Sequence, residues 1–271
     1  MSTPWLMEWL AAARPERLLV CCHHAGGGAG QFRRWRERLA PGTTVLALQL
    51  PGRQSRWDEP VPRSMEEAVT GAFEALRHRI DRPYTVFGHS MGALVGYETA
   101  RRLGAEAGLW PERLIASASL PPHRPQGVPE LRGLDDAGLI GYFVGNGTLP
   151  GWVADDPDLQ RLLLAPLRGD IALCDGYRHR PGPPLPCPIT VCGGLDDTGL
   201  DARDLDGWRA YGSAGCERRM FRGGHLFHLE PDSGLLPFLA SLAAPVPSAT
   251  PASLPAPATG PGPVHLQEEP R

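Results

Sequence analysis

The sequence predicts an α/β protein, a mostly parallel, doubly wound sheet with a helical lid insertion. Three observations predict it. Short apolar runs rich in Val, Leu and Ile alternate with helix-period segments. One of these pairs, Tyr84 to Glu98, is a strand that enters Gly88-His89-Ser90-Met91-Gly92 and leaves as a helix. Between residues 121 and 186 the alternation breaks among prolines and glycines, where an insertion would cover the C-terminal edge of the sheet.

In order, Arg17 to Cys22 reads as a buried strand, followed by the loop His23-His24-Ala25-Gly26-Gly27-Gly28-Ala29-Gly30 and a helical pattern from Gln31 to Leu39. Thr44 to Leu50 is a second strand. Ser64 with Glu67 three residues on forms a capping box that opens a helix running to about Ile80. Tyr84 to Phe87 is the strand before Ser90, and its helix runs to about Leu103. Leu114 to Ser119 is a further strand. The insertion holds helical patterns near Asp135 to Val144 and Pro157 to Asp175. Pro186 to Gly193 is a strand, a helix surrounds Trp208, Cys216 to Phe221 is the last strand and Leu235 to Leu242 the last helix. One domain is expected over residues 1–243. The Pro, Ala, Ser and Thr of residues 244–271 show no apolar periodicity and read as a disordered tail.

The chain has 271 residues, enough for a substantial core, and a net charge of −3 that gives no reason to expect nucleic acid or an anionic membrane as partner. All 27 basic residues are arginine, a codon bias rather than a functional signal. Met1 to Ala13 lacks a basic start and is interrupted by Glu8, so it is a poor secretion signal. No stretch approaches the ~20 apolar residues that cross a bilayer. A cytoplasmic protein is expected, with its six cysteines as reduced thiols.

The chemistry centres on Ser90. A serine at a sharp strand-to-helix turn is held in a strained conformation, and glycines on either side let strand and helix approach. Its hydroxyl then projects above the sheet, and the Met91 N–H, at a helix start, can donate to an oxyanion. A serine nucleophile needs a base, and histidine suits because its pKa lies near neutrality. Of nine histidines, His225 follows the last strand after two glycines, in a loop that reaches back over the sheet edge. His228 is the runner-up, better placed for packing. The base needs an acid to hold its tautomer. Residues 113–129 contain no Asp or Glu, whereas the next loop, Gly193-Gly194-Leu195-Asp196-Asp197-Thr198, offers Asp196 and Asp197. The order Ser, Asp, His is that of the α/β-hydrolases. The loop at 23–30 sits where such folds place a second oxyanion donor, and the Ala25 N–H is the expected one. It lacks the Lys and Ser/Thr of a phosphate-binding P-loop. Cys21, Cys22, His23, His24, His225 and His228 do not make a metal site, because neighbouring strand residues point to opposite faces and no pair has zinc-finger spacing. Neither metal nor cofactor is expected.

The segments HHAGGGAGQFRRW (23–35), LPGRQSRWDEP (50–60), FGHSMGALVGYE (87–98), TVCGGLDD (190–197) and GGHLFHL (223–229) together resemble the type II thioesterases, the free-standing editing hydrolases of polyketide and non-ribosomal peptide synthesis. The mammalian medium-chain fatty-acyl thioesterases share the pattern. The resemblance spans about residues 15–243. It implies Ser90 as nucleophile, His225 as base and, from a Gly-x-x-Asp pattern starting at Gly194, Asp197 as acid; a start at Gly193 would give Asp196. The family commonly has Pro after this Asp, where this chain has Thr198. Because the fold reads as starting almost at residue 1, no fused carrier domain is expected upstream. The implied substrate is therefore an acyl group on the phosphopantetheine arm of a separate acyl or peptidyl carrier protein, and a monomer is expected. A small-molecule carboxylesterase or lipase with the same triad is the competing enzyme, and a non-catalytic hydrolase-like binding protein the competing non-enzyme. Apolar lid residues Leu139, Tyr142, Phe143 and Trp152 could line an acyl channel. Arg33, Arg34, Arg36, Arg38, Arg53 and Arg56 could dock an acidic carrier.

Overall fold

Six parallel strands carry the site. In this computed structural model, which describes residues 3–10 and 15–242, the sheet order is β1-β3-β2-β4-β5-β6-β7. The parallel strands are β2 (Arg17–Cys22), β3 (Thr43–Leu48), β4 (Tyr84–His89), β5 (Arg113–Ser117), β6 (Ile189–Gly194) and β7 (Cys216–Phe221). The first strand, β1 (Leu6–Leu10), pairs antiparallel with β3 and caps that edge. The sequence reading missed it, taking the same residues only as a failed leader, because Glu8 interrupts the run. Glu8 is an exposed residue of an edge strand and pairs with Arg79.

The capping box at α1 (Met65–Leu76) forms in part. Ser64 Oγ accepts the Glu67 N–H at 3.2 Å, while Glu67 reaches the Arg63 N–H rather than that of Ser64. The helix behind Ser90, α2 (Met91–Ala107), runs a turn past the expected end. It stops at Gly108, whose φ of 69° is the left-handed cap that glycine favours. The segment after the glycine loop, Ala29–Glu37, winds as 3₁₀ turns rather than an α-helix, burying Phe32 and Trp35 three residues apart. The chain is completed by α3 (Asp136–Gly145), α4 (Pro157–Gly176), α5 (Ala202–Leu205) and α6 (Leu235–Leu242).

Two apolar layers flank the sheet. One holds α1 and α2, with Leu94, Val95, Tyr97 and Leu103 on the sheet residues Val20, Val86, Leu114 and Val191. The other gathers Phe32, Trp35, Phe87, Ile115, Phe227 and Leu239. The insertion has its own small core of Leu131, Leu139, Ile140, Phe143, Val153, Leu164 and Leu167. The helix α4 is divided between the two. Up to Ile171 it packs with the lid, through Leu164 and Leu167, whereas Leu173 and the following Tyr177 belong to the main core. The tail read as disordered, residues 244–271, lies outside the described residues.

Candidate active site

The backbone at Ser90 carries the strain expected of the turn, with φ 53° and ψ −121°. Two close approaches hold it. A Cβ at Gly88 would come 2.2 Å from the Gly92 carbonyl oxygen, and a Cβ at Gly92 would come 2.2 Å from the Cys22 carbonyl oxygen. Only glycine fits either place. The Ser90 N–H donates to the Ser117 carbonyl at 2.7 Å, which ties the turn to β5. As the residue before a helix, Ser90 makes no capping bond with its side chain, so the hydroxyl is left for other chemistry.

The loops after β6 and β7 meet beside this turn. A Cβ at Gly194 would strike the Gly224 carbonyl oxygen at 2.3 Å, so the two loops touch backbone to backbone. Leu195 N–H bonds to Phe221 and Asp196 N–H to Gly223. This contact turns Asp197 inward, its side chain 3% exposed, and Asp196 outward to solvent. Asp197 Oδ2 lies 2.8 Å from His225 Nδ1, and Asp197 Oδ1 accepts the Gly199 N–H at 3.0 Å. The His225 ring packs edge-on against that of His89, the neighbour of Ser90, with centroids 5.4 Å apart.

His228 stands apart from that pair. It is buried and stacks on His89 at 3.7 Å between ring centroids, and neither ring nitrogen has a partner among the described residues. It packs with His24 as well, at 5.3 Å. His89 Nδ1 pairs with Ser117 Oγ at 2.9 Å. Burial lowers the pKa of His23 and of His24 to about 3, and drives those of His89 and His228 well below the ordinary value, so all four are neutral. His78 is exposed beyond the end of α1, and His265 lies outside the described residues. Among the described residues no group of three or more His, Cys, Asp or Glu side chains is placed to hold a metal ion.

The glycine loop forms a turn in which Gly27 N–H bonds to the His24 carbonyl at 3.0 Å and Gly26 takes φ 76°. Three further amides are claimed from outside: Gly26 N–H by Asp170 Oδ2 at 2.8 Å, Ala29 N–H by Gln49 Oε1 at 3.1 Å and Gly30 N–H by Gln54 Oε1 at 3.1 Å. The Ala25 N–H has no acceptor among the described residues, nor does that of Met91 at the start of α2. A shallow cleft opens beside this loop, lined by Ala25 and Gly26 and by the lid residues Phe143, Leu149, Leu163 and Leu167. Of the four expected channel residues, Phe143 lines it, Leu139 packs the lid core, and Tyr142 and Trp152 face solvent.

Arg53 and Arg56 are not free to dock a partner. Both are 4% exposed. Arg53 clasps Asp170 through both guanidinium nitrogens, at 2.5 and 2.8 Å. Arg56 binds Glu59 and the Gln49 carbonyl and lies over the Trp5 ring. Sequence reasoning missed Asp170, Gln49 and Gln54. Asp170 did leave a signal, since it falls in the apolar register of α4 with Leu163, Leu167 and Cys174.

A strained serine between strand and helix, beside an aspartate–histidine pair from two later loops, is the arrangement of the serine α/β-hydrolases. Within that class the chain belongs to the thioesterase family, whose domain model matches residues 17–241, and it is a thioester hydrolase. It is 34% identical over 240 residues to the protein named linear gramicidin dehydrogenase LgrE of Brevibacillus parabrevis, covering 88% of this chain and 91% of that one. It is 34% identical over 227 residues to thioesterase PikA5 of Streptomyces venezuelae, covering 82% and 79%. Among solved structures, the type II thioesterase BorB from the borrelidin biosynthetic cluster superposes with a TM-score of 0.80 at 34% identity, covering 89% of this chain and 98% of that one. The word dehydrogenase belongs to LgrE's name; the family match of this chain is to a hydrolase.

Proposed function

We propose that this chain is a type II, editing thioesterase that releases acyl groups from the phosphopantetheine arm of an acyl or peptidyl carrier protein. The observation that carries this reading is the likeness to BorB, named a type II thioesterase of a biosynthetic cluster, along nearly the whole of that chain. Ser90 Oγ attacks the thioester carbonyl while His225 Nε2 takes its proton. Asp197 holds the imidazole by its other nitrogen and stabilises the imidazolium that forms. The tetrahedral oxyanion is received by the Ala25 and Met91 N–H groups, which are free to donate. Collapse breaks the C–S bond, and His225 returns the proton to the departing thiol. Water then attacks the acyl-serine with His225 again as base, releasing the acid and restoring Ser90.

The cleft lined by Phe143, Leu149, Leu163 and Leu167 supplies an apolar wall for the acyl chain. No cofactor enters this scheme; the pantetheine arm comes with the substrate. Among the described residues no helix is long and apolar enough to cross a membrane. The reading is tested by comparing kcat/KM on an acyl-carrier thioester with that on the matched oxygen ester. A clear preference for the carrier thioester is expected. Equal or better use of the oxygen ester would instead favour a carboxylesterase.

A further inference from the structure

We infer that Asp170, held by Arg53, is a positioning residue for the oxyanion loop, through which the second half of the lid helix α4 sets the geometry at Ala25. Asp170 is fully buried, yet it lies on the insertion, far in sequence from the two segments it joins. Its carboxylate is shared. Both oxygens take the Arg53 guanidinium, and Oδ2 also accepts the Gly26 N–H at 2.8 Å. Arg53 in turn donates to the Gly27 carbonyl at 3.2 Å and to that of Pro51 at 3.3 Å. The guanidinium and the carboxylate thus grip the Gly26 N–H, one residue from the Ala25 donor that the proposed mechanism uses, and the Gly27 carbonyl, two residues from it.

The turn geometry explains why this matters. The Ala25–Gly26 peptide follows the His24–Ala25 peptide, which carries the Ala25 N–H. Anchoring Gly26 N–H to Asp170 sets the rotation of that peptide. The His24 carbonyl is engaged by Gly27 N–H, and in a trans peptide the Ala25 N–H points opposite to that carbonyl. Leu167, one turn before Asp170 on α4, closes on the same peptide: a Cβ at Gly26 would meet its Cδ1 at 3.0 Å. A surface ion pair would not justify so specific a reading. This one is dry, bidentate and bonded to the loop backbone, and such pairs are the geometrically exacting ones.

The inference rests on the oxyanion role proposed for Ala25, and two double variants test it. Removing one partner alone would strand a buried charge and could unfold the protein, so both are exchanged together. In Arg53→Met/Asp170→Leu the pair becomes apolar and Gly26 N–H loses its acceptor. In Arg53→Gln/Asp170→Asn the pair is neutral, but an amide oxygen remains for Gly26. On a small acyl thioester the first is expected to lose kcat on the order of 10²-fold with little change in KM, the size of losing an oxyanion donor. A trifluoromethyl ketone analogue, which forms an oxyanion with the serine, is expected to lose affinity in parallel. The second variant is expected to recover most of kcat. If the Met/Leu variant keeps kcat, or if both variants lose it equally, the pair only supports the fold and the inference fails. Amide exchange in the unaltered protein provides a check that needs no variant. The Gly26 N–H is expected to be as protected as amides in the second half of α4, and exchange at an exposed-loop rate would overturn the inference. Thioesterase turnover by the unaltered protein tests the functional reading separately from these ratios.

Discussion

Asp197 and His225 are joined across 2.8 Å by two loops whose backbones touch at Gly194 and Gly224. The adjacent carboxylate, Asp196, gives its N–H to Gly223 and turns its side chain to solvent. The backbone contact that brings the loops together therefore also selects between the two acids. Asp197→Asn is expected to lower kcat by on the order of 10⁴-fold, the loss seen when a serine-protease triad loses its carboxylate, whereas Asp196→Asn changes it little. Steady-state kinetics of both variants decide, and the reverse ranking would move the role to Asp196.

The four buried neutral histidines predict acid sensitivity. His23, His24, His89 and His228 have depressed pKa values in the fold, chiefly because burial disfavours their charged forms. Unfolded, each titrates near 6.5. The unfolded chain therefore binds more protons than the native one below that value, and stability falls with pH from about 6.5 towards about 3. Each unpaired titration contributes a slope of at most about 1.4 kcal/mol per pH unit. Urea melts across that window should show the fall. His228→Phe, which removes one site while keeping a ring on His89, should flatten it. A flat profile in the unaltered protein would contradict the burial of neutral imidazoles.

The insertion over residues 121–186 is proposed to move as a lid over Ser90. In α4, Leu164, Leu167 and Ile171 pack with the lid cluster, whereas Leu173, Cys174 and the following Tyr177 pack with the main core. Hydrogen exchange should find α3 and the part of α4 up to Ile171 opening well before the central strands, and the residues from Leu173 on protected with the core. Uniform protection across the insertion would rule out a moving lid.

With Arg53 and Arg56 buried, the proposed carrier-docking surface is reduced to one arginine cluster. Arg33, Arg34 and Arg38 are exposed on the segment after the glycine loop, while Arg53 and Arg56 are buried. Reversing Arg33 and Arg34 to Glu is expected to lower kcat/KM on an acyl-carrier protein several-fold at low salt and to leave a small acyl thioester unaffected. Equal effects on both substrates would remove the cluster from docking.

Much of this was legible in the sequence because it depends on local chemistry. The strand, elbow and helix from Tyr84 to Glu98 follow from apolar runs and two glycines whose Cβ atoms could not fit. The partnership of Asp170 with Arg53 was not legible, since it joins positions 117 residues apart and a charged side chain alone reads as solvent-facing. The Gly-x-x-Asp pattern favoured Asp197 over Asp196, and the contact of Gly194 with Gly224 supplies the physical reason that a residue pattern could not. The strand β1 was hidden for the opposite reason. Its Glu8 is tolerated only because the strand lies at a sheet edge, which a linear reading does not show.

The central claim is that Ser90 carries the acyl group between carrier and water. The most direct measurement is rapid quenching of the protein with an acyl-carrier substrate, followed by mass spectrometry of the peptide that contains Ser90. The account predicts the mass of the acyl group on that peptide in the unaltered protein, and neither adduct nor turnover in a folded Ser90→Ala variant. An acyl adduct on another residue, or turnover that survives Ser90→Ala, would contradict it.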